Sequence, residues 1–152
     1  FCFLMNTNFD EFPPSLVEKY MKRCLAYGMF PGFFSHNAST KQYFQQPALY
    51  NRDRPLFKKY VPLCKKVAEA GWEPLTGATS SDPKVYVESF GDRHLTVFND
   101  GPDRRTVTIT LASWRQAPAA STELVRGQPL AWRDRQATLT LDGEDVAVIE
   151  LH

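Results

Sequence analysis

The chain has 152 residues, enough for one domain or two small ones, and its 43% hydrophobic and 13% aromatic content suits a packed core rather than a disordered polymer. Eighteen basic residues stand against 17 acidic ones, for a net charge of +1 with no basic block. Nucleic acid is therefore not expected as a partner, nor is a membrane, because no apolar run reaches bilayer-spanning length.

Phe1–Met5 is a continuous apolar run, the pattern of a parallel strand covered on both faces. Because the chain opens on Phe1 already inside such a strand, its start is expected to be a cut through a longer protein. Asn6-Thr7-Asn8 turns polar at the strand's end, and Pro13 and Pro14 sit where a helix would begin. Leu16, Val17, Tyr20, Met21, Cys24 and Leu25 recur at helical spacing, with Glu18, Lys19, Lys22 and Arg23 on the opposite face. Gly28 is placed to end this helix as a left-handed cap.

Met29–Phe34 is the second apolar run, and Pro31 and Gly32 predict that it is short or bulged. Ser35, His36 and Asn37 follow at its polar exit. A second helix is predicted from about Asn51, with Asn51 or Asp53 as its cap and Pro55 in its first turn. Its apolar face holds Leu56, Phe57, Tyr60, Val61, Leu63, Cys64, Val67 and Ala68, and Pro62 interrupts its interior. Gly71 closes it, and Trp72 is expected to fold back onto it.

The period of the chain changes near Asp82. Residues 76–84 are small, polar and turn-rich, which reads as a linker. Beyond them come short strand patterns at Val85–Phe90, His94–Asn99, Thr106–Leu111, Leu124–Trp132, Ala137–Leu141 and Val146–Leu151, with tight-turn signals at Gly91-Asp92, Asp100-Gly101 and Asp142-Gly143. Thr106, Thr108 and Thr110 alternate with Val107, Ile109 and Leu111, the pattern of a sheet with one wet face. The fold class is thus α/β followed by all-β: a βαβα part over 1–75, a linker over 76–84 and an antiparallel β-sandwich over 85–152. Two βα units cannot close a barrel, so this first part reads as the end of something larger.

Cys2, Cys24 and Cys64 are odd in number and sit among apolar neighbours, so they read as buried small hydrophobes. A zinc site with His36, His94 or His152 would need a ligand spacing that is missing, and neither a metal nor a cofactor is expected.

The stretches Tyr27–Asn37, Asn51–Leu63 and Ala68–Pro74 resemble the seventh and eighth βα units of bacterial glycoside hydrolase-like proteins. Val85–Gly91 and Leu95–Asp100 are similar to their terminal β-domain. The resemblance covers nearly the whole chain. It implies the two terminal βα units of a TIM-type (β/α)8 barrel plus a bracing β-sandwich, with carbohydrate and the remainder of the barrel as partners.

Barrel enzymes carry their chemistry at the C-terminal ends of the strands. That rule selects Asn6, Asn8 and Asp10 after the first strand, and Ser35, His36 and Asn37 after the second, as candidate substrate-binding residues. Such side chains offer donors and acceptors to sugar hydroxyls. The same residues also suit plainer roles: Asx turns for Asn6 and Asn8, a helix cap for Asp10, a hydrogen-bonded loop position for His36.

Glycoside hydrolysis uses two carboxylates, and only Asp10 is favourably placed. Glu18, Asp53 and Glu69 fall on helices, and Glu88, Glu144, Asp145 and Glu150 read as surface charges of the β-module. The catalytic pair is therefore expected upstream of Phe1. The alternative is a carbohydrate-binding or assembly module, for which Tyr86, Phe90, Phe98, Trp114 and Trp132 would form an exposed aromatic row.

Overall fold

The computed structural model describes residues 1–7, 12–35 and 45–152. The two apolar runs form β1 (Cys2–Thr7) and β2 (Phe30–Ser35), paired in parallel with Cys2 opposite Phe30 and Thr7 opposite Ser35. Parallel neighbours need a crossover connection, and α1 (Pro14–Ala26) lies in it. No bulge forms at Pro31-Gly32: register holds through both, opposite Phe3 and Leu4. Tyr20 of α1 supports this stretch, its hydroxyl accepting the Gly32 N–H at 2.9 Å and lying against the carbonyl oxygens of Phe3 and Gly32.

The predicted stripe of α1 is buried at Val17, Tyr20, Met21, Cys24 and Leu25, whereas Leu16 is exposed. Gly28 ends the helix region at φ +64°, where a Cβ would run into the Phe90 ring. The second helix, α2 (Pro47–Ala70), begins one turn before the predicted start. Asn51 and Asp53 are therefore interior residues rather than caps, and Pro55 joins Pro62 inside the helix. Both prolines are exposed, as are Asn51 and Lys58, whose carbonyls lose their partners. Water can solvate those carbonyls, which explains why the helix runs on.

Past α2 the strands are β3 (Trp72–Glu73), β4 (Ala78–Ser80), β5 (Val85–Phe90), β6 (His94–Asn99), β7 (Arg105–Leu111), β8 (Ser121–Glu123), β9 (Gln128–Pro129), β10 (Gln136–Leu141) and β11 (Asp145–Leu151). All pair antiparallel, in one six-stranded sheet of order β3-β5-β6-β11-β8-β9 and one three-stranded sheet of order β10-β7-β4. The stretch read as a linker thus supplies β4, and Trp72 enters β3 as an exposed residue instead of folding onto α2. Strands of two or three residues carry too little alternation to be read.

Leu124–Trp132 is not one interrupted strand. The Glu123 carboxylate accepts the backbone N–H groups of Val125 (2.9 Å), Arg126 (3.0 Å) and Val148 (3.1 Å), turning the chain back between β8 and β9. The wet face of β7 forms as its sequence implies: Thr106 faces Thr140 with hydroxyls 2.8 Å apart, while Val107, Ile109 and Leu111 are buried.

Two cores result, separated by the six-stranded sheet. Leu95, Val97, Ala147 and Ile149 face the three-stranded sheet and pack with Val107, Ile109, Leu111 and Leu141. The alternate residues Phe98, Val146 and Val148 face the helices and pack with Val17, Met21, Leu25, Tyr60, Cys64 and Val67. Strands β6 and β11 are therefore buried on both faces. Each such side chain contributes about 1.5–3 kcal/mol.

The helix side of this junction also carries buried ions. Asp145, grouped by sequence with surface charges, is 4% exposed and binds Lys22 of α1 at 2.8 Å and Arg126. Arg126 also meets Glu123, itself buried. Cys24 and Cys64 are buried as expected, but Cys2 is exposed because β1 is not covered at that point.

Candidate functional site

The parallel register brings the ends of β1 and β2 together, Asn6 opposite Phe34 and Thr7 opposite Ser35. Two of the six predicted substrate-binding residues, Asn6 and Ser35, thus share one end of the sheet by backbone position. Asn8, Asp10, His36 and Asn37 lie outside the described residues.

Among the described residues, the carboxylates weighed for catalysis are engaged in ion pairs and hydrogen bonds between or within elements. Glu18 of α1 accepts the Tyr60 hydroxyl of α2 at 2.7 Å and Lys59 at 3.3 Å. Burial pushes its carboxyl up, but the Tyr60 bond and the charges of Lys22 and Lys59 hold it below the usual range. Glu150 is held low chiefly by Lys66, 2.8 Å away, and also meets His94 at 3.2 Å. Burial lowers His94 against the opposing pull of Glu150. Glu69 pairs with Lys65, Glu144 with Lys19, and Asp53 with Arg52. Among the described residues no group of three or more metal-ligating side chains gathers.

The predicted aromatic row does not form. Phe90 and Phe98 are in the helix-side core, and Trp132 packs on the sandwich core with its indole N–H donating to Ser121 Oγ at 2.7 Å. Residues facing the helices and residues facing solvent share one strand parity, so alternation alone cannot separate them. Tyr86 and Trp114 are exposed.

Trp114 instead lines a groove of ≈ 590 Å³ on the sandwich, with Glu73, Leu75, Asp92, Arg93 and Arg115. The groove gathers Glu73 at the end of β3, the β5–β6 turn and the loop after β7. Arg115 Nη1 donates to Thr76 O (2.6 Å) and Ser89 Oγ (2.9 Å), and its Nη2 to Asp92 O (3.0 Å). Arg135 donates to the carbonyls of Ala112 and Arg115, fixing the same loop. Of the groove, sequence reasoning singled out only Trp114. Its other residues come from separate turns, and the clue that was present, Gly77 close to Trp-Arg in space, is not a pattern along the chain.

No protein-family model matches the chain, and no curated protein matches it. Solved structures do. An α-amylase from Geobacillus thermoleovorans, complexed with acarbose, superposes on 92% of this chain with TM-score 0.54 and 13% identity. The AmyP E221Q variant in complex with maltotriose does so over 91%, with TM-score 0.58 and 13% identity. A GH27 β-L-arabinopyranosidase from Geobacillus stearothermophilus, in complex with arabinose, covers 93% with TM-score 0.50 and 13% identity. The matched part is 34%, 35% and 31% of those chains, respectively, so this chain spans about a third of their length. The fold is thus similar to that of one part of each of these enzymes.

Proposed function

We propose that this chain is the C-terminal portion of a glycoside hydrolase. In this reading β1-α1-β2-α2 are the last two βα units of a (β/α)8 barrel and the sandwich braces them. The observation that supports it most is a parallel βαβ unit running into an antiparallel sandwich across a shared core, matched over nearly the whole chain by a third of each glycosidase.

Asn6, Asn8, Asp10, Ser35, His36 and Asn37 would hold sugar hydroxyls at the barrel mouth. Carbohydrate and the rest of the barrel are the partners of this reading. The catalytic carboxylates come from outside these residues, since Glu18, Glu69, Asp53, Glu144, Asp145 and Glu150 serve ion pairs and hydrogen bonds between or within elements.

The test joins this chain to the protein sequence that precedes it and measures reducing-sugar release from a panel of α- and β-linked oligosaccharides. The 152 residues alone should release none, and the joined protein should turn over at least one substrate. Substituting His36→Ala in the active form should raise KM at least several-fold, as loss of a sugar contact does. Turnover by the 152 residues alone would overturn the proposal, as would a joined protein inert toward the whole panel.

A further inference from the structure

We propose that the Trp114 groove binds a neutral oligosaccharide; the choice of a saccharide rests on the glycosidase reading. Two large apolar residues are exposed in this one groove, Leu75 at 75% and Trp114 at 66%. The same sandwich half-buries Trp132 when it uses a tryptophan for packing. Trp114 is instead held outward by a loop tied down on both sides. Arg115 anchors it to Thr76, Ser89 and Asp92, Arg135 anchors the carbonyls of Ala112 and Arg115, and the Ala112 N–H donates to Gly77 O at 2.9 Å.

Gly77 completes the mount. At φ +61° it lies against the edge of the six-membered ring of Trp114, and a Cβ there would sit 2.5 Å from Cη2. One edge of the ring therefore abuts the Gly77 backbone and the Arg115 guanidinium stands over it, 6.0 Å from the centroid, while most of the residue's surface faces solvent. A fixed, open aromatic plate is preorganised for stacking on the apolar face of a sugar ring.

The remaining wall carries charges of both signs. Glu73 and Asp92 are balanced by Arg93 and Arg115, so neither sign dominates. Arg115 directs its Nη donors at protein oxygens, so the guanidinium of the wall that could meet a phosphate or carboxylate is that of Arg93, and the Glu73 and Asp92 carboxylates oppose such an anion. What is left is a mixture of donors and acceptors around an apolar plate, suited to hydroxyls. The volume of ≈ 590 Å³ falls within the roughly 300–1,000 Å³ of ordinary ligand clefts.

The experiment titrates the full chain with maltohexaose, cellohexaose and xylohexaose, reading tryptophan fluorescence and the exchange-broadened indole N–H signals. At least one sugar should shift the Trp114 signal saturably. Trp114→Ala should weaken that binding at least ten-fold, and Gly77→Ala, which displaces the ring, should weaken it several-fold. Trp72→Ala, outside the groove, should leave it unchanged. Unperturbed circular dichroism of Trp114→Ala verifies that the variant is folded.

A flat titration with all three sugars overturns the proposal, and so does equal binding by wild type and Trp114→Ala. These outcomes are independent of turnover. An active joined protein whose groove ignores sugar sinks only this inference, whereas saturable binding without turnover in the joined protein sinks only the glycosidase reading.

Discussion

Thr96 lies at the centre of a strand buried on both faces, and its hydroxyl donates to Ala26 O at 2.6 Å. It thereby satisfies a carbonyl at the end of α1, a group that helix geometry leaves without an intrahelical partner. Thr96→Val keeps the shape and strands that carbonyl, so it should cost about 1–3 kcal/mol, measured as a shift of the urea midpoint at unchanged slope. The titrating residues set the pH limits. His94 is lowered from its ordinary 6.5 in the folded state, so the unfolded chain binds its proton first and stability falls as pH drops through that value. Glu18 and Glu150 are also held low, so their contribution is present above about 4.5 and disappears below it. At the alkaline end burial pushes Cys24 and Cys64 each up to about 12 from 9.0, so their contribution is intact below 9 and lost between 9 and 12. Thermal melts across pH should show both flanks, and His94→Gln should flatten the decline between pH 7 and 5. Residue identity alone is informative at Gly28, whose left-handed conformation is a local requirement, and uninformative at Asp145, which is buried beside Lys22 and Arg126 from distant parts of the chain.

Elements were legible where their period is long and their partners few. Val85–Phe90 and His94–Asn99 match their predicted bounds, and the ends of the strands from Arg105, Gln136 and Asp145 differ from the predicted ones by one residue. Helix α2 begins a turn earlier than the first-turn preference of Pro55 predicts, because Pro55 is tolerated inside it where the Asn51 carbonyl is open to water. The split of Leu124–Trp132 depends on a single carboxylate, Glu123, folding three N–H groups around itself, which composition does not signal. Helix α2 gives a direct test of what its prolines cost. Pro62 is exposed and its ring opposes the Lys58 carbonyl, so Pro62→Ala restores one backbone bond without disturbing the core. It should stabilise the chain by about 1–3 kcal/mol, read as a rise in Tm with the helical circular dichroism kept or increased.

At the scale of the molecule, the change of period at Asp82 falls inside the antiparallel region, since β3 and β4 precede it, and it does not divide one core from another. Helices α1 and α2 and the strands β5, β6 and β11 contribute to the same cluster. The candidate site was legible only as a rule, that chemistry gathers at strand ends; the register of β1 and β2 brings two of its positions together. The groove was not legible at all as a constellation, since its walls meet only after the six-stranded sheet has formed. The central sheet has no idle side: Leu95, Val97 and Ile149 are taken by one neighbour and Phe98, Val146 and Val148 by the other. Such a domain is a poor candidate for cut-and-paste engineering. A graft onto another enzyme would have to carry its helical pair along or find a host whose surface copies their contour.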